Sequence, residues 1–157
     1  MTLKENDKLK IDRLTLKIPL KDSEVPFFHA VSNFIRENPS GKIPAGTGLV
    51  WDGSKLPRRT ALGQETLHPQ AVPYIWLGGV TRGVSCFMET TYGYALSRTA
   101  NAVRLIRDNG VLTLEWDFIN TPVTLKKSRS FAFGLMPTPV KKADPALRQY
   151  THDTSGI

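Results

Sequence analysis

Glu115 and Asp117 stand two residues apart in a run, Val111 to Ile119, that alternates apolar and polar side chains. On a strand they share one face about 6.5–7 Å apart. An inverting glycosidase holds its acid and its base at about 6.5–9.5 Å, with a water between them. Every i, i+2 pair on a strand has this spacing, however, and a solvated sheet face is ordinarily polar, so the pair reads first as surface structure. Glu89 closes the apolar run Val84 to Met88, and Glu65 lies among turn residues; each reads as a surface or hydrogen-bonding residue. His29, His68 and His152 stand far apart with no second ligand at i+2 or i+4, so no metal centre is expected. The chain contains no Gly-x-Ser-x-Gly elbow, P-loop or dinucleotide fingerprint. Gly46-Thr-Gly48 leads into the strand-like Leu-Val-Trp rather than into a helix, so neither nucleophilic catalysis nor a cofactor is expected.

Aromatic residues carry the remaining signal. Trp51, Trp76, Tyr74, Tyr92 and Tyr94 lie in or beside Gly-rich turns, where an exposed ring stacks on the apolar face of a sugar. Trp76, between Ile75 and Leu77, is expected in a strand interior, and Trp116 in the core. Trp51, Tyr92 and Tyr94 are therefore the carbohydrate-contact candidates, since function concentrates on loops. The single cysteine, Cys86, sits in an apolar run; it excludes an intrachain disulfide and a thiolate cluster, and reads as a small core residue.

These side chains need a scaffold, and the hydrophobic period supplies one. Leu14, Leu16, Ile18 and Leu20 alternate with polar residues, which marks a half-buried strand, and Pro19 places it at an edge or ends its pairing. Residues 26 to 36 suit a short helix or a further strand equally. From Asn38 to Thr60 the Pro and Gly density indicates a loop carrying a short strand around Val50 and Trp51. Strand signals then follow at Val72 to Leu77, Val84 to Glu89, Gly93 to Arg98, Ala102 to Arg107, Val111 to Ile119 and Ser130 to Met136. Asp108-Asn109-Gly110 is a hairpin turn, because Asn and Gly tolerate positive φ. Leu112, Leu114, Trp116 and Phe118 form the buried face of the strand after it; Thr113, Glu115 and Asp117 form the wet one. The fold class expected is all-β: an antiparallel β-sandwich over residues 1–142 with at most one or two short helices, followed by a C-terminal tail or truncated linker over 143–157.

A chain of 157 residues is long enough for one well-buried core. Its 21 Lys and Arg against 14 Asp and Glu leave a net charge of +7. The basic clusters, Lys8-Leu-Lys10, Arg58-Arg59, Lys126-Lys127 and Lys141-Lys142, are short and flanked by turn residues. They read as solvated loops rather than a nucleic-acid footprint. No segment approaches the length of a membrane span, and the charged start has no apolar stretch behind it like an export leader.

Several blocks occur in a recognisable order: Pro44-Ala-Gly-Thr-Gly-Leu-Val-Trp51, Pro73-Tyr-Ile-Trp-Leu-Gly78, Arg82-Gly-Val-Ser-Cys-Phe-Met-Glu89, Pro122-Val-Thr-Leu125 and Phe133-Gly-Leu-Met-Pro-Thr-Pro-Val140. Over about residues 10 to 142 they resemble the N-terminal β-sandwich domain of glycoside hydrolase family 123-like proteins. That resemblance implies a module preceding a (β/α) barrel related to β-N-acetylgalactosaminidases, in which the barrel supplies the catalytic acids. The family's barrel uses an adjacent Asp-Glu pair together with the substrate's acetamido group. No Asp-Glu dipeptide occurs in this chain, so no catalytic residue is carried over. The expectation is a non-catalytic accessory domain that packs against a catalytic barrel absent from this chain. The alternative is an independent carbohydrate-binding module using Trp51, Tyr92 or Tyr94, and a third reading is a stand-alone hydrolase using Glu89 with Glu115 or Asp117. The expected partners are the barrel, as a domain or a subunit, and a glycan. No cofactor, metal, nucleic acid or membrane is expected. The family is often extracytoplasmic, but without a leader the localisation stays open.

Overall fold

The computed structural model describes residues 1–31, 38–53, 74–88, 90, 92–97 and 100–139. Among them the chain is all-β and sandwich-like, with one 3-10 turn, Asp22–Glu24, and no longer helix. One sheet has four strands in the order β3 (Leu14–Lys21), β10 (Val111–Ile119), β9 (Val103–Asp108) and β6 (Gly48–Asp52). The other has five: β13 (Gly134–Thr138), β8 (Gly83–Phe87), β7 (Tyr74–Gly78), β4 (Phe27–Ala30) and β5 (Ser40–Lys42). Two small ribbons, β2 (Asn6–Ile11) with β11 (Val123–Leu125) and β1 (Thr2–Leu3) with β12 (Arg129–Ser130), close one end. Every strand pair is antiparallel.

The β9–β10 hairpin pairs Asp108 with Val111, leaving Asn109 and Gly110 as a two-residue turn. Their φ angles, 47° and 78°, are the two left-handed values that a type I′ reversal requires. Past this turn Leu112, Leu114 and Trp116 point inward and meet Leu105 and Val103 of β9. Across the core lie Ile75, Leu77, Cys86, Phe28 and Ala30 of the five-stranded sheet. Each fully buried Leu or Ile here contributes about 1.5–3 kcal/mol of burial. A second apolar cluster forms where the ribbons close the end, with Phe118 and Phe131 stacked at 5.3 Å beside Tyr94 and Phe133.

Two β-bulges decide which side chains enter the core. Leu49 pairs with Ile106 but Trp51 pairs with Leu105, so Val50 is an extra residue on β6. Strict alternation from Val50 would turn Trp51 outward; the bulge returns it to the inner face, and both residues are buried. In β10 the register likewise shifts between Asp117 and Ile119, and Phe118 and Ile119 are both buried.

Several expected elements differ in the structure. Of the expected strand Gly93 to Arg98, residues 93–97 are described and do not form a ladder strand: Tyr92 and Gly93 form a turn, Gly93 has φ +88°, and Ala95 makes an isolated parallel bridge to Ile119. Ser130 to Met136 divides between β12 and β13, which join different sheets, with Phe131 buried between them. The segment open to helix or strand forms β4 from Phe27 to Ala30; residues 32–37 lie outside the described residues, as do 54–73 and 143–157.

Candidate functional site

The outer face of the four-stranded sheet carries the carboxylate pair. Asp117 is fully buried there rather than wet. Its carboxylate accepts from Arg13 Nε at 3.1 Å and Nη2 at 2.7 Å, from Arg104 Nη1 at 2.8 Å and Nη2 at 3.1 Å, and from Thr15 Oγ1 at 2.6 Å. Antiparallel register explains the arrangement, since Asp117 faces Thr15 on β3 while Glu115 faces Lys17 on β3 and Arg104 on β9. Glu115 accepts from Arg104 Nη2 at 3.0 Å and lies 2.7 Å from Lys17 Nζ. Burial opposes ionisation of both carboxyls, and the cationic and hydroxyl donors outweigh it, so both pKa values lie below their ordinary positions. Arg104 is raised, chiefly by its hydrogen bonds to Asp117. A general acid must hold a proton near working pH; this pair is held ionised. Its chemistry is that of a strut across β3, β10 and β9.

The three aromatic candidates separate. Trp51 is 3% exposed and packs on Phe28 at 5.3 Å between centroids, so its ring is a core side chain. The Tyr94 ring packs edge-on to Phe118 at 5.1 Å and Phe131 at 5.5 Å. Its hydroxyl is buried without a hydrogen-bond partner among the described residues, and burial pushes its pKa up to about 12. Tyr92 is 82% exposed at the tip of its turn. No shared platform joins the three. Glu89, Glu65, His68 and His152 lie outside the described residues. Cys86 is buried as expected, and burial pushes its thiol up to about 11.

A further aromatic surface occupies the outer face of the five-stranded sheet. Cross-strand register aligns His29, Trp76, Ser85 and Met136 in one row and Tyr74, Phe87 and Gly134 in the next, with Phe27 beside Gly78. Trp76 lies in a strand interior, as expected, but on the outward face. Its indole lies over the sheet where a Cβ on Gly78 would overlap Cζ2 and a Cβ on Gly83 would sit 2.7 Å from Nε1. The two glycines leave room for it. Trp76 Nε1 donates to Thr138 Oγ1 at 2.8 Å, and the Tyr74 hydroxyl and Ser85 Oγ are 2.9 Å apart. Both rings are thus pinned, and Ser85 is fully covered. Phe87 covers Gly134 in the same way and remains 38% exposed. The signal in the sequence was the alternation Tyr74, Trp76, Gly78: three residues of one parity, with the opposite parity, Ile75 and Leu77, equally apolar.

Among the described residues no cluster of three His, Cys, Asp or Glu side chains is placed to hold a metal ion, and no helix is long and apolar enough to cross a membrane. Comparison of the chain with protein-family models, with curated proteins and with solved structures returns no match.

Proposed function

We propose that this chain is a non-catalytic accessory β-sandwich domain that packs against the catalytic (β/α) barrel of a glycoside hydrolase through the outer face of its five-stranded sheet. The observation that carries this reading is that face's composition. A solvated antiparallel face is ordinarily polar, whereas this one presents Phe27, Tyr74, Trp76, Phe87 and Met136 as pinned or half-covered apolar side chains. Phe87 and Met136, 38% and 37% exposed, are its most open apolar members. Apolar surface that is held rigid and left open suits a partner that covers it. The carboxylate strut supports the non-catalytic part of the reading, because Glu115 and Asp117 are committed to arginine and lysine.

Two measurements on the purified chain test it. Aryl N-acetyl-β-galactosaminide should not be hydrolysed above background. In sedimentation velocity the chain should self-associate as its concentration rises, and Phe87→Lys should abolish that rise while the circular dichroism spectrum is kept. Enzyme-like turnover, or a clean monomer up to near-millimolar concentration, refutes the reading.

An independent carbohydrate-binding module is the second reading, and the exposed ring of Tyr92 is the observation that favours it.

A further inference from the structure

The turn that carries Tyr92 forms one wall of a cavity of about 460 Å³, a volume in the range of small-ligand sites. Its other walls are Thr124 of β11 and the connection Lys126, Lys127, Ser128 and Arg129. Three cations and no carboxylate line it. Of the other described cations, Arg13, Arg82, Arg104, Arg107, Lys10, Lys17 and Lys21 each meet a carboxylate within 4 Å, whereas Lys4, Lys8 and Lys42, which do not line the cavity, do not. Lys126, Lys127 and Arg129 meet none among the described residues. The frame of the cavity is firm. Arg129 Nη1 donates to the Gly93 carbonyl at 2.8 Å, and a Cβ on Gly93 would come within 2.5 Å of the Ser130 carbonyl. The Tyr92 turn is thereby closed down on β12. Ser128 Oγ accepts the Glu5 N–H at 3.1 Å, which anchors the basic connection from the other side.

We propose that this cavity binds an anionic saccharide unit, with a sulfate ester held by Lys126 and Lys127 and the sugar ring laid against Tyr92. Sulfate oxygens suit ammonium groups that have no competing carboxylate, and a pyranose offers the apolar face that an exposed tyrosine ring accepts. The volume admits one or two sugar rings, which favours a saccharide over a nucleic-acid strand tracked along a groove. The inference rests on the second reading, that the Tyr92 region contacts glycan, and adds the charge of the ligand.

Titration calorimetry on the full chain tests it with four probes: a 6-sulfated N-acetylhexosamine, its unsulfated parent, inorganic sulfate and a short single-stranded DNA. The sulfated sugar should bind about tenfold or more tighter than either the parent or inorganic sulfate, and its affinity should fall as salt rises. The double variant K126Q/K127Q should lose about tenfold for the sulfated sugar. Tyr92→Ala should lose affinity for that sugar while leaving inorganic sulfate unchanged. Both variants are at exposed positions, and circular dichroism verifies their folding. Equal affinity for the sulfated and unsulfated sugars, dependent on Tyr92 and indifferent to the lysines, overturns the charge inference while sustaining the binding-module reading. No binding of either sugar overturns both. Binding of inorganic sulfate with no gain from the ring, or of DNA as tightly as the sulfated sugar through the same lysines, overturns the saccharide assignment.

Discussion

Asp117→Asn separates a structural strut from a catalytic carboxylate. The substitution keeps the side chain's shape and removes its charge, so Arg104, whose side chain is 15% exposed, loses the stronger of its two partners. Breaking a buried ion pair from one side costs about 3–5 kcal/mol. Two features place this case at the lower end. Arg104 keeps Glu115 at 3.0 Å, and Arg13 is 55% exposed and returns to solvent. About 3 kcal/mol is therefore expected from urea unfolding with an unchanged slope, which for 157 residues is a fall in Tm of about 6–12 °C. Lys17→Met provides the internal control. Lys17 is 65% exposed beside Glu115, and its loss should cost no more than about 1 kcal/mol. Carboxylates kept for catalysis commonly cost stability, so neutralising one is often neutral or stabilising. If Asp117→Asn costs no more than Lys17→Met, the strut interpretation fails and acid–base chemistry at this pair returns to consideration.

The same pair sets an acid limit. Both folded-state pKa values lie below the ordinary 3.8 of Asp and 4.5 of Glu, so the folded chain resists protonation more than the unfolded chain does. Stabilisation is complete above about pH 4.5 and disappears as pH falls through the lowered folded values; urea midpoints measured down to about pH 2 should follow that course, with a weaker dependence in Asp117→Asn. Two glycines with positive φ provide another comparison. At Gly110, φ +78°, an added Cβ meets open space, whereas at Gly93, φ +88°, it meets the Ser130 carbonyl at 2.5 Å. Gly110→Ala should cost about 1 kcal/mol and Gly93→Ala about 1–3 kcal/mol more, because overlap with backbone adds to strain. Equal losses in thermal unfolding would show that the Tyr92 turn is not clamped to β12.

Strand alternation and turn chemistry were legible where one face is buried and the other wet. Leu14 to Leu20, the Asn109-Gly110 reversal and the inward series Leu112, Leu114, Trp116 follow from period two and positive φ. β2 was not legible, since five of its six residues are exposed and no buried parity marks it. Trp51 was ambiguous for a definite reason: an extra residue at Val50 inverts the parity that its neighbours imply, and no local signal announces a bulge. Asp117 shows a different gap. Its outward parity was correct, yet burial comes from Arg13, 104 residues away, and from Arg104 across the hairpin, contacts that exist only once the register is formed. Trp76 is the converse case, where apolar neighbours on both parities conceal which face it takes.

The two sheets treat their outer faces in opposite ways, and the difference bears on where the proposed partner would sit. On the four-stranded sheet Arg104, Glu115, Asp117 and Lys17 consume one another's charge, so a partner landing there would have to displace or desolvate a satisfied network. Across the core, Trp76 and Tyr74 have their polar atoms already satisfied by Thr138 and Ser85, which leaves the apolar faces of both rings outward, with His29 as the polar member of the row. Covering such surface removes water from rings without breaking a hydrogen bond, and because the rings are pinned beforehand little side-chain entropy is lost. Thr138→Val, which unpins Trp76 while preserving volume, should therefore weaken association through this face even though Thr138 is itself only partly exposed. An association unchanged by Thr138→Val but lost in Phe87→Lys would move the contact to the β8–β13 edge and leave the indole outside it.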